Sequence, residues 1–167
     1  MKKSMLMLAA AAIVATAPAA AVAGSKDAAP VTVPTPKPGM GQVVFFRPGG
    51  MGSAIKCTVR ENGKMVGRVS GNRYWVVDVT PGTHTYTAKS EATDVVNVQV
   101  EPDETTFVKC KIAMGIMVGR PNLSPSTQEE WDKAAPKLKP MEADKIAAEM
   151  KEDEAELAAK AAKPTAN

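Results

Sequence analysis

Through the middle of this chain, apolar and polar residues alternate with a period of two. Val96, Val98 and Val100 share one side of residues 95–100, and Asn97 and Gln99 take the other. Such alternation marks a strand with one buried face. Residues 83–89 repeat it, with Tyr86 and Ala88 inward and Thr85 and Thr87 outward. In 74–79 the inward set is Trp75, Val77 and Val79, and further strands are predicted at 42–47, 53–60, 65–69 and 105–113. Turn residues separate them: Pro48-Gly49-Gly50, Glu61-Asn62-Gly63-Lys64, Ser70-Gly71-Asn72, Pro81-Gly82 and Glu101-Pro102-Asp103-Glu104. Asn62-Gly63 is a hairpin signal, because both residues accept the positive φ that a tight two-residue turn needs. About seven short strands, with no helical crossover between them, predict an all-β domain over residues 41–123. The expected form is a small, mostly antiparallel β-sandwich, with a barrel as the other closed solution.

The pattern changes at both ends. Lys2 and Lys3 precede an apolar run over 5–14, and Ala21-Val22-Ala23 places small residues where signal peptidase cuts. Residues 1–23 therefore read as a signal peptide cleaved after Ala23, which predicts a periplasmic or secreted protein. The run is shorter than the roughly 20 apolar residues a membrane span needs, so no transmembrane segment is expected in the mature chain. No cysteine follows it to accept a lipid, since the first is Cys57. Residues 24–40 carry Pro30, Pro34, Pro36 and Pro38, an extended linker in which each proline fixes φ and removes a donor. Residues 124–167 read as a helical or disordered tail. Ser126-Thr127-Gln128-Glu129 resembles a capping box before a short helix carrying Trp131. Beyond Met141, Ala, Glu and Lys dominate, but Ile146, Met150 and Leu157 make only a thin apolar stripe, so a frayed helix is expected.

Charge adds one point. Without Lys2 and Lys3, nineteen basic residues face eighteen acidic ones, and so weak a balance gives no pull toward nucleic acid. The distribution is uneven: residues 41–123 carry +3, and the chain from Ser126 onward carries −3. That opposition is capable of docking the tail weakly on the domain.

Candidate chemistry is sparse. Cys57 alternates with Ile55 and Val59, and Cys110 with Val108 and Ile112, so both sulfurs face the apolar side where they can meet. A bridge would contribute about 4 kcal/mol through loop entropy. Two buried thiols and half of a metal site are the other readings. The spacing is far from a C-x-x-C redox pair. His84 is the one histidine, too few for a zinc site. On paper it joins Asp78 or Asp94 and Ser70 or Ser90 as a hydrolase triad, but no serine has a nucleophile-elbow context. A half-buried His84 bonded to backbone is the expectation. The loop from Gly49 to Ser53 joins two strands, whereas a phosphate loop opens a helix. The methionines are too scattered for a copper site. No cofactor, metal or catalytic residue is therefore expected.

Four landmarks in order carry a family resemblance: Val44-Phe45-Phe46-Arg47-Pro48, Asn62-Gly63-Lys64 with Gly67, Pro81-Gly82-Thr83-His84, and Met114-Gly115 through Val118-Gly119-Arg120-Pro121. Over residues 41–123 this set resembles the bacterial envelope family named domain of unknown function 2846. It is more loosely similar to PEGA-type β modules. The resemblance implies a small exported β-sandwich and no catalytic residue. With no enzyme motif, the expected role is non-catalytic binding of an envelope protein or glycan through loops. The candidate surface is Arg47 with Gly50 and Met51, and Ile116, Met117, Val118 and Arg120. A glycine-flanked apolar tip beside an arginine suits partner contact. An envelope hydrolase using His84, or a metal or redox carrier using the cysteines and methionines, is the alternative.

Overall fold

In the computed structural model, residues 31–162 are described except Met51, Ser53, Ala54, Glu91, Met117 and Val118. The predicted signal peptide and the start of the linker lie outside this set. So do Met51, Met117 and Val118 of the candidate surface. The described chain forms β1 (Gly41–Arg47), β2 (Cys57–Glu61), β3 (Lys64–Val69), β4 (Arg73–Val79), β5 (Gly82–Lys89), β6 (Thr93–Val100), β7 (Thr105–Ala113) and β8 (Arg120–Ser126). Then come α1 (Gln128–Ala134), a 3-10 turn, β9 (Lys139–Pro140) and α2 (Ala143–Ala162). Two strands are thus added to the expected seven.

The strands build two sheets, ordered β8-β7-β1-β4-β9 and β3-β2-β5-β6. Pairing is mostly antiparallel, but β1 runs parallel to β7 in register Gln42↔Thr105. β9 also lies parallel to β4. The Asn62-Gly63 turn forms as expected, with φ of 50° and 80°. One apolar core is shared by both sheets: Val43, Phe45, Val108 and Leu123 from one meet Val59, Val69, Tyr86, Val96 and Val98 from the other. The Cys57–Cys110 disulfide crosses it, with Cα atoms 6.7 Å apart. Both sulfurs therefore face the seam, as the alternation predicted. Gly67 is required where β3 meets Trp75, because a Cβ there would lie 2.3 Å from the indole ring. At one side, Asp94 of β6 accepts from the Leu123 amide at 2.5 Å and the Asn122 amide group at 3.1 Å, tying the two sheets together.

Within the first sheet β1 is buried on both faces, which accounts for its unbroken apolar run Val43-Val44-Phe45-Phe46. Its outer face presents Val44, Phe46, Tyr74 and Phe107 to Trp131 of α1, with Leu138 closing a second core. Trp131 stands edge-on to Phe46 and Tyr74, at centroid distances of 5.5 and 5.2 Å. Val31 and Val33 of the proline-rich stretch pack on this cluster too, so that part of the linker lies on the domain. Thr127 caps α1, its hydroxyl accepting from the Glu130 amide, and Ser126 instead ends β8. The expected cap was one residue early because β8 extends through Ser126, pairing with Phe107.

The expected frayed tail is corrected as well. Ile146 of α2 is fully buried, and the helix packs against β3. Glu149 pairs with Lys56 at 3.0 Å and Arg68 at 3.3 Å, and Asp153 pairs with Arg60. The opposite charges of domain and tail meet here. Among the described residues, no helix is long and apolar enough to cross a membrane.

Candidate binding site

The period-two alternation of β1 decides where Arg47 goes. Val43 and Phe45 face the shared core, so Arg47 follows them inward and is only 2% exposed. Its guanidinium donates to the carbonyl of Ile55 and, at 2.6 Å, to that of Gly52. Burial pushes its pKa below the ordinary arginine value. Arg47 is therefore a clasp inside the loop that follows β1, and its place on an exposed contact surface is corrected.

The two predicted loops do come together. Gly52 and Gly119 both approach Ile55 and Ile112 closely: a Cβ on Gly119 would lie 2.5 Å from each side chain. Gly50 is exposed at this end, with φ of 141°. It opens, with Arg47 and Lys111, onto a recess of about 240 Å³. Met114 and Ile116 are 77% and 89% exposed. Arg120 begins β8 opposite Ala113 and borders a different recess, shared with Asp94 and Asn122. The expected cluster is thus divided between two sides of one loop end.

A feature missed by the sequence reading adjoins Gly49. A cleft of about 510 Å³ lies between the outer face of the first sheet, the Pro48-Gly49 turn and the α1 segment. Phe46 and Leu138 line it from below, and Lys109, Lys111, Lys133 and Lys137 line it with Glu130. Lys109 and Lys111 alternate outward with Phe107 along β7, a signal that was legible. The position of Lys133 and Lys137 over them was not. Lys109 donates to Glu130 at 2.5 Å, and Ser126 donates to the other carboxylate oxygen at 2.5 Å. These contacts, Lys109 first, hold the Glu130 carboxyl below the usual range.

His84 lies where the alternation put it, stacked on Tyr86 at 5.9 Å. Nδ1 is 2.6 Å from Glu61 Oε1, and Nε2 is 2.7 Å from the Thr80 carbonyl oxygen. The half-buried, backbone-bonded histidine is thus observed. The paper triad is not assembled: Ser70 donates to Met141, and the Ser90 hydroxyl is buried with no partner among the described residues. Tyr86 is wholly buried, and burial, then the nearby Glu61 charge, pushes its pKa up. Both cysteines are in the bridge, so neither is a free thiol. Among the described residues, no three His, Cys, Asp or Glu side chains are grouped to hold a metal ion.

Residues 37–121, about half the chain, match the family described as protein of unknown function (DUF2846). The chain belongs to this family. The match runs from the residue before β1's entry turn to the start of β8, so the lysine-bearing α1 lies outside it. An uncharacterized protein of Haemophilus influenzae is 27% identical over 125 residues, which cover 74% of this chain and 73% of the relative. No solved structure matches.

Proposed function

We propose that this member of the DUF2846 family is an exported, non-catalytic binding module that captures another envelope component through its loop end. In this reading residues 1–23 are removed on export to the periplasm or beyond, and the two-sheet frame is a β-sandwich carrying two additional strands. The observation that carries it is the meeting of both predicted loops around Ile55 and Ile112, beside an open cleft. Exposed loops fixed on a rigid scaffold are suited to binding. The disulfide supports export, since such bridges persist in oxidising compartments. A photo-crosslinker replacing Ile116 in cells should capture a specific envelope protein or glycan, whereas one replacing Thr85 on the far sheet should not. Equal capture from both positions, or none from Ile116, overturns the binding surface. A mature N-terminus other than Gly24 overturns the processing site.

A further inference from the structure

The cleft beneath α1 has a charge pattern that narrows its ligand. Four lysines face one carboxylate: Lys109, Lys111, Lys133 and Lys137 against Glu130. Lys109 is about nine-tenths buried, and an ammonium in that position needs a counter-charge. Glu130 supplies it from inside the molecule, its two oxygens taken by Lys109 and the Ser126 hydroxyl. A carboxylate seated on an ammonium and a hydroxyl occupies the place an external oxyanion would take. Lys111, Lys133 and Lys137 make no salt bridge among the described residues; Lys111 and Lys133 feel only the longer-range charges of Glu130 and Glu129, so the cleft keeps a net positive lining. Beside them the half-buried Pro48 and Ala134 offer apolar surface above the buried Phe46 and Leu138, and the volume of about 510 Å³ falls in the range of small-molecule sites.

We propose that this cleft binds a phosphate ester, the phosphate among the lysines and a small organic body against Pro48 and Ala134. The inference rests on the binding reading above and adds the class of ligand. A phosphate monoester carries about −1.5 to −2 charges at neutral pH, a closer match to the lysine excess than one carboxylate. Lysine binds phosphate as a point charge. Glu130 then acts as an internal competitor for the anion, and its removal should strengthen binding.

The test uses the full mature chain and two probes. Calorimetric titration with glycerol phosphate at about 0.05 M salt should show saturable binding that weakens at about 0.5 M salt, with acetate binding more weakly. The double variant Lys133→Ala/Lys137→Ala should lose about tenfold in affinity, the scale of one charge-assisted hydrogen bond. Both lysines are exposed, so an unchanged melting temperature should accompany the loss. Glu130→Gln should bind more tightly than the parent. Vesicles of phosphatidylglycerol, compared with phosphatidylcholine, form the second arm. Sedimentation with the first alone, lost in the double variant, would place the phosphate on a lipid headgroup. Binding to neither probe, equal binding of acetate, or indifference to the lysine variants overturns the proposal. If Ile116 still captures a partner in that event, the ligand class is wrong and the binding surface stands.

Discussion

Arg47 illustrates how one inward position organises a loop. Its guanidinium donates to two carbonyls within the segment joining β1 and β2, so Arg47→Met should remove both bonds, although the Gly52 carbonyl keeps the Ile55 amide as a donor at 2.8 Å. A loss of about 2–3 kcal/mol in chemical denaturation is expected, with faster amide exchange at Ile55. His84 is a smaller case of the same kind. It stacks on Tyr86 and bridges Glu61 to the Thr80 carbonyl. His84→Ala should therefore cost about 1–2 kcal/mol, measured by urea midpoint. A variant as stable as the parent would remove the structural role assigned to this ring. Both positions were open to the alternation rule. It placed His84 beside Tyr86 correctly, and the same rule applied to Val43, Phe45 and Arg47 would have turned Arg47 inward. An arginine beside a glycine-rich loop suggested exposure, but its long side chain turns inward and reaches the Ile55 and Gly52 carbonyls of that loop.

The elements past residue 123 owe their stability to what they cover. α1 is only seven residues long and would not persist in isolation. It is held by Trp131, which fills the space between Phe46, Tyr74 and Phe107 on the outer face of the first sheet. Trp131→Ala should cost about 3–5 kcal/mol and release the α1 segment, a change visible as new protease cleavage near residue 130. α2 is held differently, by the fully buried Ile146 with the half-buried Met150 and by ion pairs. The Arg60 hydrogen bonds hold the Asp153 carboxyl below the ordinary aspartate range. At Glu149, burial acts to raise the pKa, but Lys56 and Arg68 outweigh it and the net direction is down. Carboxyls lowered in the docked state contribute stability above their ordinary pKa of about 4, and that contribution is lost as pH falls through the lowered values. Acid should thus undock α2 while the disulfide-bridged sheets persist, and a spin label at Leu157 would report the release. Retained immobility of that label in the paired variant Glu149→Gln/Asp153→Asn would show that the ion pairs do not hold the helix.

For the whole molecule, the covalent tie between the sheets is the dominant constraint. The bridge joins residues separated by 53 positions and connects β2 of one sheet to β7 of the other. Its removal by the paired change Cys57→Ala/Cys110→Ala should lower stability by about 4 kcal/mol on the loop-entropy account. Intact mass without reductant should fall two daltons below the reduced chain. The shared core is small for two sheets, and the second core beneath α1 extends it. That addition explains why folding continues past residue 123, where turn punctuation suggested an end.

Sequence alone determined the positions of β1 and β3 to β7, the Asn62-Gly63 hairpin and the facing of both cysteines, because each follows from period-two alternation or from the φ values a residue tolerates. The strand expected over 53–60 is formed only at Cys57–Glu61, and β8 and β9 were not foreseen. It also held the charge opposition that appears as the Arg60–Asp153 and Glu149 contacts. Tertiary structure alone decided the parallel β1–β7 pairing, the seating of Trp131, the docking of α2 and the gathering of four lysines over Phe46. These depend on contacts between residues far apart in the chain, and local periodicity specifies which face is apolar without specifying what will cover it.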